Sequence, residues 1–182
     1  QAKGSCNDIA WTAAYPQLAA MQYKYYGNKR VIERHWPSLV RYQENLIANA
    51  SKQAQGLAEC DRFADWLCGF GQSCCSNTPA GSSCPVPAEM GSFNYVLALR
   101  AMADMATATG RTANATRYAA LAEHAAAGFH NAFWNPTLKA YGGDQGATQS
   151  LTTPALAIGS PPAGLGPTVV SALQSDLDGV TS

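Results

Sequence analysis

The sequence has no excess charge of either sign, no long apolar run and almost no strand signal. Twelve Lys and Arg balance twelve Asp and Glu, and no basic stripe runs along any segment. Nucleic acid is therefore not an expected partner, because phosphate binding needs a concentrated cationic face. No run of about 18 apolar residues occurs, so no membrane span is expected. Metal and nucleotide signatures are missing too. His35, His124 and His130 form no ligand pair, because the last two point to different faces of one helix. No paired Cys-x2-Cys accompanies a His-x3-His, which argues against zinc. There is no Gly-x-Ser-x-Gly elbow and no phosphate-cradling loop; Gly142-Gly143-Asp144 reads as a turn. No cofactor is expected. With no initiator Met and no signal-like start at Gln1, the chain reads as a mature or excised piece of something longer.

Cysteine is present, in the first half alone: Cys6, Cys60, Cys68, Cys74, Cys75 and Cys84. An even number in a stretch rich in Gly, Ser and Pro points to disulfides whose pairing the sequence leaves open. Adjacent Cys74 and Cys75 are each expected to bond elsewhere, since a bridge between neighbours strains the backbone. Two glycosylation sequons point the same way, Asn49-Ala50-Ser51 and Asn114-Ala115-Thr116, whereas Pro136 excludes Asn135. Together these features favour an oxidising, secretory route and a secreted or cell-surface protein.

The chain is long enough for one domain with its own core. Its periodicity predicts an all-α fold. Ala14 to Tyr26 reads as a helix stopped by Gly27, with Leu18, Met21 and Tyr25 at helical spacing. Lys29 to about Ser51 reads as a second, with Ile32, Trp36, Leu39, Gln43, Leu46 and Ile47 on one face. Pro37 inside it should kink the helix or mark its true start. The stretch from Gln55 to Gly91 holds five of the six cysteines and is too long for a bland connection. Ser92 reads as the cap of a third helix carrying Phe93, Val96, Leu97, Ala101 and Met105. Thr112 to about Phe133 is the fourth, with Tyr118, Leu121, Ala125, Phe129 and Phe133 on one face. After a loop, Asn135 to Gly146, come helices over Ala147 to Ile158 and Pro167 to Leu177. Successive helix hairpins with long loops on one side predict a helical toroid or solenoid.

The acids outside these helical patterns are Asp8, Glu59, Asp61, Asp65, Glu89 and Asp144. Asp8 reads either as a cap or as a sugar ligand, because Trp11 is close by. Asp65-Trp66 reads as a site, since Cys60 and Cys68 flank it in an irregular loop. A carboxylate beside an indole suits a sugar: the carboxylate accepts from hydroxyls and the indole covers the apolar ring face. Glu89 reads as a first-turn acid for its helix, and Asp61 as a loop acid or an ion partner of Arg62. Trp36 and Trp134 read as packing residues.

The order Asp8-Ile9-Ala10-Trp11, Ala14-Tyr15-Pro16, Tyr25-Tyr26-Gly27-Asn28, Asp65-Trp66-Leu67 resembles the central part of the catalytic domain of α-L-rhamnosidases. Thr148-Gln149 matches a further family segment with its two residues exchanged, and Asn28 replaces the usual acid. The resemblance implies an (α/α)6 toroid over residues 1–182, present in part as about three helix hairpins with a long disulfide-rich loop. It implies that Trp11 and Trp66 alone line a rhamnose pocket; Asp8 and Asp65 are sugar candidates from their own chemistry. It also implies a general-acid glutamate upstream and a general-base glutamate downstream, both outside this chain. An inverting hydrolase needs both, so the remaining segments of a parent chain are expected partners, together with a rhamnosylated glycan or glycoside. The competing expectation is non-enzymatic: a secreted helical-repeat module that binds glycan or protein or serves in an assembly.

Overall fold

The computed structural model describes residues 9–58, 87–141 and 149–180. All six cysteines, Asp8, Asp65 and Trp66 lie outside the described residues, as do Glu59, Asp61 and Asp144. The fold is all-α. Its helices are α1 (Ile9–Thr12), α2 (Ala14–Tyr26), α3 (Arg30–Ala50), α4 (Pro87–Ala108), α5 (Thr112–Phe133), α6 (Gln149–Ala157) and α7 (Gly166–Val180). A two-residue hairpin, β1 (Trp134–Asn135) against β2 (Ala140–Tyr141), interrupts the expected loop after α5. Among the described residues no helix is long and apolar enough to cross a membrane.

Gly27 ends α2 in the left-handed region at φ 65°, and its N–H donates to the Tyr23 carbonyl at 2.8 Å. A glycine adopts this conformation without a Cβ clash. The chain reverses there, so α2 and α3 run antiparallel. Tyr15 meets Ser38 at 2.5 Å, and Thr12 Oγ1 meets the Tyr42 hydroxyl at 3.0 Å. α3 and α5 run parallel: the Arg111 guanidinium lies 4.6 Å over the Trp36 ring, and Arg117 pairs with Glu44 one step further along. α4 and α5 reverse through a left-handed Gly110. It follows that α2 and α4 are parallel. α4 packs against α2 on one flank and α6 on the other, giving a first layer of α2, α4 and α6. Their hairpin partners α3, α5 and α7 lie behind them.

Side chains explain the layering. α3 and α5 each expose a polar face, with Glu33, Arg34, Arg41 and Asn45 on one, Thr116, Arg117, Glu123 and His124 on the other. α4 has only a narrow polar strip, with Asp104 and Thr107 exposed, and Val96, Ala98, Leu99, Met102, Met105 and Ala106 are fully buried. The broadest contact is between α4 and α5, where Ala122, Ala125 and Ala126 face it and Tyr118 and Phe129 fill the remaining space. Alanine both favours the helix and lets two axes approach closely. Gly128 serves a similar end: a Cβ there would lie 2.5 Å from the Gln55 carbonyl oxygen.

Several expectations are corrected. The Leu18, Met21 and Tyr25 spacing is helical, but it marks an exposed stripe; α2 buries Pro16 and Ala19 instead. Pro37 does not mark the start of α3, which opens at Arg30 and runs through it. Pro37 is the eighth residue of α3, so one intrahelical hydrogen bond is lost there, and its ring faces solvent. Ser92 is not a cap. α4 begins at Pro87, whose fixed φ suits a first helical turn, and Ser92 Oγ donates to the Ala58 carbonyl at 3.5 Å.

Gln43 is fully buried on the apolar face of α3, and among the described residues neither its amide nitrogen nor its oxygen has a hydrogen-bond partner. A buried amide left unpaired costs on the order of 1–3 kcal/mol per group. Gln43→Met, close in volume, should therefore raise the unfolding free energy by about 1 kcal/mol or more. Urea denaturation measures this. A loss of stability would mean instead that the amide holds a buried water or ligand.

Candidate functional site

The N-terminal ends of α2, α4 and α6 mark one end of the first layer. The C-terminal ends of α3 and α5 reach the same end, because each is antiparallel to its hairpin partner. Polar contacts tie these termini together. Thr12 joins α1 to α3 through Tyr42, Ser92 joins α4 to the residues after α3, and Thr152 joins α6 to the hairpin after α5. In the last contact Thr152 Oγ1 accepts from the Tyr141 N–H at 3.3 Å and donates to the Tyr141 carbonyl at 3.2 Å.

Trp11 stands at this end. α1 is anchored by Ile9 and Ala13, both buried, and packs against α4, while Trp11 remains 62% exposed. An indole held on an anchored turn with most of its surface open can cover an apolar sugar face. Asp8 precedes it by one turn of sequence, outside the described residues, as do Asp65 and Trp66. Of the expected sugar contacts, Trp11 alone can be placed. Asn49, near the end of α3, and Asn114, in the first turn of α5, are both partly exposed.

Glu89 occupies the first turn of α4, as its position in the sequence suggests, and is almost completely buried, at 1% exposure. The positive pole of a helix N-terminus favours a carboxylate there. The sequence signals the helix start but not the burial, which arises because the chain after α3 crosses this end of α4.

A second group forms where α5 ends. His130 stacks on Trp134 with ring centroids 5.5 Å apart and a 26° tilt. Its Nδ1 lies 2.8 Å from the Tyr141 hydroxyl. Burial pushes the Tyr141 phenol up and the His130 imidazole down. The neutral ring and the phenol share this hydrogen bond, with Nδ1 donating in one imidazole tautomer and accepting in the other. Trp134 is partly buried and packed on the core, in line with a packing role. No local sequence signal joins His130 to Tyr141, since the hairpin turn separates them. That turn is fixed by Asn135, whose Oδ1 accepts from the Thr137 and Leu138 N–H groups at 3.0 and 3.1 Å.

Two concavities flank the helices, the first away from this end and the second beside the C-terminus of α3. A groove of about 550 Å³ between α2 and α4 is walled by Met21, Tyr23, Leu97 and Met105, with Lys24, Arg100 and Asp104 among its polar residues. A cleft of about 290 Å³ between α3 and α5 contains Tyr95 and His124. Burial pushes the Tyr95 phenol up to about 12, so it stays protonated at neutral pH.

The His130 shift has a measurable consequence. Its folded value lies below the ordinary 6.5, so the folded state favours the neutral ring. The stability this provides is present above 6.5 and is lost as pH falls through the folded value. The melting temperature should fall on acidification from pH 7 to pH 5, and His130→Phe should remove part of that slope. Thermal melts across this range measure it, and an identical slope in the variant would assign the effect elsewhere.

Residues 2–177 match the profile of the bacterial alpha-L-rhamnosidase 6 hairpin glycosidase domain. Among solved structures, that of an alpha-L-rhamnosidase from Dictyoglumus thermophilum superposes with a TM-score of 0.77 at 26% identity. The match covers 93% of this chain and 18% of that one, so the chain spans under a fifth of the rhamnosidase. No curated protein sequence matches. The sequence match runs through every described helix, and the helical arrangement agrees with it. The chain belongs to the bacterial alpha-L-rhamnosidase six-hairpin glycosidase domain family.

Proposed function

We propose that the polypeptide carrying this domain is a secreted glycoside hydrolase that releases terminal α-L-rhamnose with inversion. This stretch would form part of an (α/α)6 toroid and one wall of its sugar pocket. The observation that carries the reading is Trp11: in a member of a rhamnosidase family, an anchored and open indole stands where the N-termini of the first-layer helices gather. Rhamnose is a deoxy sugar with a methyl group, and an indole face suits its apolar edge. Asp8 and Asp65 would accept from the ring hydroxyls, and Trp66 would supply a second face.

Inversion needs a general acid and a general base about 6.5–9.5 Å apart, with a water between the base and the anomeric carbon. On this reading both glutamates come from other segments of the parent polypeptide. What this chain contributes is binding and orientation. Contacts of that kind act on KM when they are equal in ground and transition state, and on kcat when they strengthen in the transition state.

In the complete enzyme, Trp11→Ala should reduce kcat/KM on p-nitrophenyl α-L-rhamnoside by about 10-fold or more, since losing a stacking face costs roughly 1–2 kcal/mol. The melting temperature should stay within a degree or so, because the indole is mostly exposed. Unchanged kinetics would remove Trp11 from the sugar pocket.

The secretory route rests on the cysteines, with glycans on Asn49 and Asn114 as its second mark. Oxidised cysteines would staple a long connection, each bridge contributing about 2–4 kcal/mol. Alkylation of the unreduced, denatured protein followed by intact mass should find few or no free thiols. Six alkylated cysteines would place the protein in a reducing compartment.

A further inference from the structure

The cleft between α3 and α5 has a buried hydroxyl with nothing to bind. Tyr95 reaches it from α4 and is only 3% exposed. Among the described residues its hydroxyl has no hydrogen-bond partner. A polar group so enclosed is costly unless something in the cleft meets it. Burial keeps the phenol protonated at neutral pH, so the hydroxyl can both donate and accept.

We propose that this cleft is a second ligand site, separate from the Trp11 end, and that it takes one ring of a neutral sugar. Three features select that ligand. The first is charge. Among the described residues the cleft is lined by no Lys, Arg, Asp or Glu. The charges that act on Tyr95 from nearby, Arg117 and Glu44, are paired with each other. A charged ligand would lose its hydration there and gain no counter-charge. The second is the kind of polar group. The Tyr95 hydroxyl, the Gln53 amide and the His124 imidazole each offer a donor and an acceptor, and sugar hydroxyls need both. Ile47 and Leu121 supply apolar wall for the C–H faces of a ring. The third is size. At about 290 Å³ the cleft stands at the small end of ligand pockets, which start at roughly 300 Å³. That admits a single ring and not a chain.

Backbone strain holds the cleft in shape. A single 3₁₀ turn, Ala54–Gly56, follows α3 and forms one wall. In it Gln55 lies in the left-handed region at φ 65°, and Gly56 follows at the same φ. A non-glycine residue stays in that conformation only where its surroundings impose it. Here α5 imposes it. Gly128 leaves room for the Gln55 carbonyl, and a Cβ on Gly56 would lie 3.2 Å from the His124 ring. The turn is wedged against α5 with His124 beside it, so the wall is in place before a ligand arrives. The cleft shares no residue with the group around Trp11, Thr12 and Tyr42.

The inference stands on the cleft and depends neither on the proposed activity nor on Trp11. The probe is L-rhamnose, a neutral ring with a methyl edge, titrated into the full chain and followed by NMR spectroscopy. Saturable shifts are expected at Leu121 and His124, with a dissociation constant on the order of 1–10 mM for so small a ligand. Tyr95→Phe keeps the ring, removes the hydroxyl and should weaken binding by about 5-fold or more. His124→Ala, at an exposed position, should weaken it as well, and it carries the test if the Tyr95 variant does not fold. Trp11→Ala should leave the constant at the cleft unchanged, even where turnover by the complete enzyme is lost. No saturable shift at the cleft up to about 100 mM overturns the proposal. So does unchanged affinity in His124→Ala and in folded Tyr95→Phe. Equal affinity for glycerol overturns it too, because the cleft would then select no ring. Displacement of the sugar by sodium sulfate would make the ligand an anion and has the same result.

Discussion

The alanine-lined contact between α4 and α5 is the constraint on which the rest depends. Ala122, Ala125 and Ala126 on α5, all buried, allow the two axes to come close over most of their length. Met102, Met105, Tyr118 and Phe129 then close the space that small residues leave. Each large side chain buried in this way contributes about 1.5–3 kcal/mol. The pair is a rigid wall with α2 and α6 on its two flanks and α3 reaching it from behind. A bulkier residue at these alanines would push the axes apart and change where both flanking helices sit.

Polar contacts set direction where apolar ones set distance. The Arg117 guanidinium is forked onto Glu44, with Nη2 donating at 2.8 Å, and the Tyr118 hydroxyl reaches the same carboxylate at 3.2 Å. The hydrogen bond from Arg117 holds the Glu44 carboxyl below its usual range, against the opposing effect of burial. Both side chains are well exposed, so the pair adds little stability. Its value is register: it fixes which turn of α3 lies beside which turn of α5. Arg100 acts in the same way between α4 and the end of α6, donating to the Ile158 carbonyl at 2.8 Å. Because these contacts fix the register of the helices, they also fix which side chains gather at the end where Trp11 stands.

That end shows two kinds of residue. Trp11 is mostly exposed on a turn anchored by Ile9 and Ala13, whereas Glu89, Tyr141 and Thr152 are buried, and Thr152 is hydrogen-bonded to the Tyr141 backbone. A binding wall needs both: surface for the ligand, and a floor that does not move when the ligand arrives.

The sequence by itself determined the helices, their order and their stops. Gly27 and Gly110 end α2 and α4 because a left-handed residue is needed there, and the apolar spacing of α3 and α5 shows where each begins and ends. Family membership was legible in short motifs, Asp8 to Trp11 and Tyr25 to Asn28, and the match over residues 2–177 agrees with them. Trp11 as an exposed residue near a helix start was legible for the same reason. Periodicity could not say which apolar stripe is buried. Leu18, Met21 and Tyr25 fall at helical spacing, yet Pro16 and Ala19 are the residues turned inward. Nor could it pair His130 with Tyr141, bury Glu89, or leave Gln43 unpartnered, since each depends on a segment distant in sequence crossing a particular turn. Local propensity acts over a few residues and fixes the elements. Close packing acts between elements, and it alone decides which of their faces are left for a ligand or a further helix.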